Sequence, residues 1–113
     1  MRNLVHLLAF SYLFFLSGFS KAADCNEACL DTLVGKTLEA ITSHNPDRLP
    51  WANQVKYTEN GVSLMVGDGL WGSAGKIPAK TLFLTSDAAS RNAVWIGIVR
   101  DHDKPAFAAL RLA

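Results

Sequence analysis

The sequence lacks an excess of charge of either sign. Its 113 residues carry 11 Lys and Arg against 10 Asp and Glu, which gives a formal net charge of +1. A protein that binds nucleic acid by neutralising phosphates needs a basic patch, so this class of protein is excluded. Half of the residues are hydrophobic, which is too many for a disordered chain. The length allows one small domain and excludes two.

The sequence also lacks an apolar run long enough to anchor it in a membrane. After a basic start, residues 4–19 form an apolar run of about 16 residues, short of the roughly 20 that a spanning helix requires. Ser20 and Ala22 are the small residues that precede a signal-peptide cleavage site. We predict a signal peptide over residues 1–22 and a single domain over residues 23–113, secreted or periplasmic and free of the membrane after cleavage.

Cysteine is scarce, and neither a zinc site nor a redox pair is indicated. Cys25 and Cys29 are spaced by four residues, whereas a redox-active pair usually reads C-x-x-C. A zinc site would need two further ligands, for which the domain offers only His44 and His102. We therefore predict no metal and no cofactor. In an oxidising compartment the favoured state is a local Cys25–Cys29 disulfide, with free or intermolecularly paired thiols as the alternative.

One amphipathic helix is predicted at the start of the domain. Asp24 is the expected N-cap, and Glu27 follows in the capping-box position. Asn45-Pro46 ends the pattern, so the helix is predicted over residues 25–44. Gly35 costs about 1 kcal/mol against alanine within a helix, and we expect it to admit the close approach of another element. The apolar stripe has helical spacing and consists of Leu30, Leu33, Val34, Leu38 and Ile41.

Strands are predicted in the rest of the domain. Alternation with period two indicates strands over residues 55–59 and 62–66, joined by Asn60-Gly61, the strongest short hairpin signal. Residues 67–78 hold four glycines and read as irregular, with at most one turn of helix. Three more strands, joined by loops of hairpin length, are predicted over residues 81–85, 94–99 and 106–112.

The fold class that follows is α+β, with one long helix packed on an antiparallel sheet. The strand at residues 94–99 is almost unbroken in its apolar character, which predicts that both of its faces are covered. Trp51 and Trp95 are predicted to lie in the core.

Three stretches of the chain, residues 38–50, 55–61 and 67–71, resemble a secreted, uncharacterised branch of the nuclear transport factor 2-like superfamily. That superfamily includes ketosteroid isomerases and SnoaL-like polyketide cyclases, and the resemblance covers most of residues 25–112. It implies a long helix packed on a curved, cone-like antiparallel sheet around an apolar pocket.

Two departures from this branch affect the expected fold. Relatives usually continue past the equivalent of Leu112 with a further strand that contains a Glu, so the sheet is expected to lack its last edge strand unless a partner supplies it. An exposed edge favours self-association, and a homodimer is one expectation. Asn45 stands where the branch commonly has Asp.

The resemblance implies Glu59 as the candidate catalytic base. In the ketosteroid isomerase pattern, the matching position holds the carboxylate that moves a proton next to a carbonyl. Glu59 shares a strand face with Tyr57, because side chains two residues apart point the same way. The isomerase oxyanion donor is a tyrosine of the first helix, and Thr37 stands there as a weaker donor, which argues against copying the mechanism whole. The alternative for Glu59 is a carboxylate bound to turn backbone or solvent.

The other candidate catalytic residues are Tyr57, His44 and Asp68, and the candidate ligand-binding residues are Trp71 and Tyr57. Each has a structural alternative. His44 can satisfy carbonyls at the end of the helix, Asp68 can bond its own backbone in a Gly-Asp-Gly turn, and Trp71 can belong to the core. Residues 101–103, Asp-His-Asp, are interpreted as a solvated turn rather than a metal cluster.

These residues together predict a secreted protein with a pocket for a small apolar ligand. Its enzymatic form would be cofactor-free isomerase, cyclase or lyase chemistry. The alternatives are a non-catalytic binding or dimerisation module, and a diverged remnant without activity.

Overall fold

The computed structural model describes residues 25–113, so the predicted signal peptide and Asp24 lie outside the described residues. The α+β class is confirmed, with one long helix and an antiparallel sheet. No helix within residues 25–113 is long and apolar enough to cross a membrane. The elements in chain order are α1 (Glu27–Thr42), a 3-10 turn (Pro46–Arg48), β1 (Tyr57–Glu59), β2 (Val62–Leu64), α2 (Leu70–Ser73), β3 (Lys80–Asp87), β4 (Asn92–Asp101) and β5 (Lys104–Leu112).

The start of α1 is set by Asn26 rather than by the predicted cap. The Asn26 side-chain oxygen accepts a hydrogen bond from the Cys29 N–H at 3.0 Å, which makes Asn26 the N-cap. The helix therefore begins at Glu27, two residues later than predicted. A disulfide joins Cys25, just before the helix, to Cys29 in its first turn, with 5.1 Å between the Cα atoms. The local bridge predicted from the sequence is present.

The end of α1 is a Schellman cap with histidine in the position usually held by glycine. His44 adopts φ 54°, its N–H donates to the Ile41 carbonyl at 3.0 Å, and the Asn45 N–H donates to the Ala40 carbonyl at 2.9 Å. These two bonds stop the helix at Thr42, before the predicted end at residue 44.

The strands form two separate sheets. β3, β4 and β5 pair antiparallel in that order, while β1 and β2 form a two-stranded hairpin. Asn60 and Gly61 both have positive φ, 48° and 78°, which is the type I′ turn that the Asn-Gly pair predicted. The hairpin strands are shorter than predicted, and the three strands of the larger sheet are longer. The single predicted helical turn within residues 67–78 is α2.

α1 packs on one face of the three-stranded sheet, which we call the inner face. Leu30 and Val34 from α1 meet Ala93, Trp95 and Val99 from β4 in one buried cluster. Trp95 is 1% exposed, and its indole N–H donates to a hydroxyl on the neighbouring strand, the Thr81 Oγ1, at 2.8 Å. The predicted core position of Trp95 is confirmed.

The prediction that both faces of β4 are covered is wrong. Ala93, Trp95 and Val99 are buried on the inner face, whereas Ile96 on the other face is 40% exposed. An unbroken apolar run is compatible with two arrangements. Both faces of the strand can be buried, or one face can be buried while the other is apolar but exposed to solvent.

The predicted core position of Trp51 is also wrong, because the residue is 41% exposed. The indole N–H donates to the Pro46 carbonyl at 2.8 Å, and the ring centroid lies 6.2 Å from that of Trp71. Trp51 belongs to the chain between the 3-10 turn and β1, outside both buried clusters.

Two glycines give opposite stability predictions. A Cβ at Gly35 meets no atom within 4 Å, so the expected close approach is wrong. Gly35→Ala should raise the free energy of unfolding by about 0.5–1 kcal/mol through helix propensity alone. At Gly97 a Cβ would overlap the Lys80 carbonyl and the Trp95 ring. Gly97→Ala should therefore lower the free energy of unfolding by about 1–3 kcal/mol.

Urea unfolding followed by tryptophan fluorescence measures both glycine variants against the parent protein. A stabilised Gly97→Ala variant, or a destabilised Gly35→Ala variant, would contradict this packing of α1 and β4.

Candidate functional site

Glu59 lies where the hairpin meets the start of α2. The Tyr57 hydroxyl donates to the Glu59 Oε1, and the Leu70 N–H donates to the same oxygen at 2.7 Å. Gly69 comes so close that a Cβ there would overlap the Glu59 carboxylate, and its φ of 61° favours glycine independently. One carboxylate oxygen thus joins β1 to α2.

The Tyr57 hydroxyl is held in its neutral, donating form. Burial raises the pKa of Tyr57 well above its usual range, and the hydrogen bond and negative charge of Glu59 add to the rise. The charge of Asp68 acts in the same direction, while a hydrogen bond with Trp71 opposes it. Tyr57 therefore remains a hydrogen-bond donor at neutral pH.

Tyr57 and Glu59 lie at the edge of a cavity of about 370 Å³ enclosed by α1, β1, α2, β4 and β5. The volume is within the range of small-molecule sites, and most of the lining residues are apolar. The apolar lining residues include Leu38, Ile41, Leu70, Trp95, Val99 and the inward-facing β5 residues Ala106, Ala108 and Leu110. The polar lining residues besides Tyr57 and Glu59 are Thr42, Thr58, Asn60 and Asp101.

A second cavity of about 370 Å³ shares Tyr57 with the first. Trp51 and Trp71 both line it, together with Thr37 from α1. Trp71 is 3% exposed and packs with Ala40, Ile41 and Ala74, so it is part of the core as well as a cavity wall. Its role in ligand binding stays a prediction.

The Thr37 hydroxyl, the position matched to the isomerase oxyanion donor, is already engaged. It donates to the Leu33 carbonyl at 2.7 Å within α1, and the residue is 6% exposed. A bound oxyanion would have to compete with this bond for the proton.

The structure brings Tyr57 and Glu59 together but engages His44 and Asp68 elsewhere. The His44 Nε2 is hydrogen-bonded to the Ala74 carbonyl oxygen, and His44 does not line the cavity beside Glu59. Asp68 is exposed in the turn between two positive-φ glycines, and its backbone bonds Met65 and Trp71. The catalytic roles of His44 and Asp68 stay predictions. The negative charge of Asp68 contributes to the raised pKa of Tyr57.

Two features of the site were missed at the level of sequence. The Leu70 N–H binds Glu59, and Gly69 makes room for that carboxylate. The sequence predicts a turn at Gly-Asp-Gly. The one signal in the sequence for the contact with Glu59 is Gly69 itself, because glycine allows another group to approach the backbone closely.

The Asp-His-Asp stretch is the turn that joins β4 to β5. His102 and Asp103 have φ of 46° and 63°, and the His102 side chain is 82% exposed. A hydrogen bond from Ser73, together with the neighbouring His102, lowers the pKa of Asp101. Within residues 25–113 no group of three or more His, Cys, Asp or Glu side chains could hold a metal ion.

No family model, curated protein or solved structure matches this chain. Its function is therefore inferred from Tyr57, Glu59 and the cavity beside them.

The raised pKa of Tyr57 predicts a loss of stability at high pH. The folded state favours the neutral phenol. Tyr57 therefore contributes fully to the free energy of unfolding below a pH of about 10, and this contribution is lost as the pH rises further. Tyr57→Phe should remove this part of the pH dependence. Urea unfolding at a series of alkaline pH values measures it.

The titration of Tyr57 can also be followed directly. The other tyrosine of the chain, Tyr12, lies within the proposed signal peptide, so tyrosinate absorbance of the protein without residues 1–22 reports Tyr57 alone. We expect a midpoint above the ordinary value of about 10, lowered by Glu59→Gln. An ordinary midpoint in both proteins would contradict the buried pair.

Proposed function

We propose that this chain is a small-molecule-binding domain that takes an apolar compound with one hydrogen-bond donor. The observation that carries the proposal is the Tyr57–Glu59 pair in the lining of a cavity of about 370 Å³ whose lining residues are mostly apolar. Apolar walls supply affinity for such a ligand, and a few polar groups orient it.

Glu59 is the group that would select the ligand. Among residues 25–113, the Tyr57 hydroxyl and the Leu70 N–H donate to this carboxylate, and both bonds end on Oε1. Oε2, which lies beside Gly69, is the acceptor for a hydroxyl or N–H of the ligand. The Tyr57 hydroxyl and the Leu70 N–H hold the carboxylate in place, so little side-chain freedom would be lost on binding. The ligand class is therefore an apolar, ring-sized compound that carries an alcohol or phenol.

The cone-like, nuclear transport factor 2-like arrangement forms part of this proposal. Its support is the long α1 laid across an antiparallel sheet, with the hairpin placing Tyr57 and Glu59 beside the space between them. We also propose export through a signal peptide at residues 1–22. The Cys25–Cys29 disulfide fits an oxidising compartment.

A matched pair of probes tests the proposed recognition. We expect 2-naphthol to bind roughly tenfold more tightly than 2-methoxynaphthalene, because the methyl ether cannot donate a hydrogen bond to Glu59. Glu59→Gln should reduce this preference. Glu39→Gln is the control, since Glu39 is exposed on α1 and does not line this cavity. Titration calorimetry gives both affinities.

Equal affinity for the two probes would refute the role of Glu59. Failure of both probes to bind would refute the cavity as a site for ligands of this class.

A second candidate is cofactor-free proton transfer of the isomerase, cyclase or lyase type. The contact between Glu59 and Tyr57 at the cavity favours it, because Glu59 could take a proton while Tyr57 turned its hydroxyl to a carbonyl oxygen. The engaged hydroxyl of Thr37 counts against it, since that donor is not free for an oxyanion.

Deuterium exchange tests the catalytic candidate. If Glu59 is a base, the protein should speed exchange of the proton next to the carbonyl of 2-tetralone in heavy water, followed by NMR. Glu59→Gln should lower that rate by about 100-fold or more, the range that general-base catalysis contributes. If the protein does not speed this exchange above its rate in buffer alone, the catalytic candidate is refuted and the binding proposal stands.

A further inference from the structure

A second carboxylate, that of Asp101, lines the same cavity as Glu59. Asp101 ends β4 on the inner face of the sheet, in phase with Trp95 and Val99, because side chains two residues apart along a strand point the same way. Among residues 25–113, no other charged side chain lines this cavity. The charged groups of the lining are therefore both acidic, and they come from two different strands, β1 and β4.

Asp101 carries its negative charge at neutral pH. A hydrogen bond from Ser73 is the main cause of its lowered pKa, and His102 adds to the effect. The His102 Nδ1 lies 2.8 Å from the Asp101 Oδ1, but the His102 ring does not line the cavity. Lys104, which lies opposite Asp101 in the strand register, does not line it either. The acidic groups of the lining thus face no cation across the cavity itself.

The two carboxylates lie where the cavity adjoins a second opening of about 460 Å³. Both spaces have Glu59, Leu70 and Asp101 in their lining, and the opening adds the polar side chains of Ser73 and His102. The Asp101 side chain is 42% exposed. A charged group of a ligand at this boundary would keep part of its water, which limits the free energy cost of taking a charge out of water.

We propose that the ligand of this cavity is an apolar amine, bound as its ammonium ion at the boundary that Glu59 and Asp101 line. This inference rests on the binding function proposed above and goes beyond it, because it gives the donor group of the ligand a positive charge. A primary ammonium group has three N–H donors, enough for the Glu59 Oε2, the Asp101 carboxylate and water in the opening. The apolar part of the ligand packs against Leu38, Ile41 and Trp95.

Charge complementarity separates an amine from ligands of similar shape. A hydrogen bond between an ammonium group and a carboxylate is roughly twice as strong as one between neutral groups. An alcohol donates one neutral-donor hydrogen bond, so it can satisfy either Glu59 or Asp101 but not both. A ligand with a carboxylate of its own would be repelled by both side chains. The lining therefore favours the cation over the neutral and the anionic compound.

A matched pair of probes separates charge from shape. At a pH of about 8, where a free imidazole is neutral and a primary amine is charged, 2-naphthylmethylamine should bind roughly tenfold more tightly than 2-naphthylmethanol. Raising sodium chloride from about 0.05 to 0.5 M should weaken binding of the amine several-fold and leave binding of the alcohol unchanged, because salt screens charges. Titration calorimetry on the parent protein gives all four affinities.

Asp101→Asn removes one charge from the lining and should reduce the preference for the amine to about threefold or less. The affinity of this variant for the alcohol shows whether the cavity is intact. Asp103→Asn is the control, because Asp103 lies in the same turn but lines neither space, and asparagine tolerates its φ of 63°. This control should keep the full preference.

Each other outcome contradicts a different statement. Equal affinity of the parent protein for the amine and the alcohol overturns the amine assignment and leaves the binding function standing. Failure of both probes to bind refutes the binding function, and the amine assignment with it. A preference that persists in Asp101→Asn, or that falls equally in Asp103→Asn, overturns the role of Asp101.

Discussion

The burial of Trp95 between α1 and the sheet is the constraint on which the rest of the structure depends. Its ring packs with Leu30 and Val34, and its indole N–H is bonded to Thr81 on the next strand. Gly97 leaves the space that the ring occupies. Once this side of β4 is the inner face, alternation along the strand directs Ile96 and its neighbours outward. The same ring forms part of the cavity beside Glu59.

The candidate site depends on one carboxylate that connects three elements of structure. Glu59 is carried by β1, takes a hydrogen bond from the start of α2, and faces the cavity that α1 and the sheet enclose. Tyr57 completes the pair on the same strand face, and its half-buried, neutral hydroxyl donates to Glu59. The same hydrogen bonds thus connect the hairpin to α2 and fix the orientation of the carboxylate.

The two faces of the larger sheet have different roles. The inner face builds the core and the cavity, and the outer face presents aromatic and branched side chains to solvent. Side chains that alternate along the same strands thus meet two different surroundings, the packed core on one face and solvent on the other.

The sequence by itself determined the local elements. Helical spacing predicted α1, Asn60-Gly61 predicted the hairpin turn, and period-two alternation placed Tyr57 and Glu59 on one face. These features depend on residues close in the chain. Only the tertiary structure decided which face of β4 is covered, that the Leu70 N–H binds Glu59, and that the His44 ring binds Ala74. Those contacts join residues distant in sequence, so packing of whole elements decides them rather than local pattern.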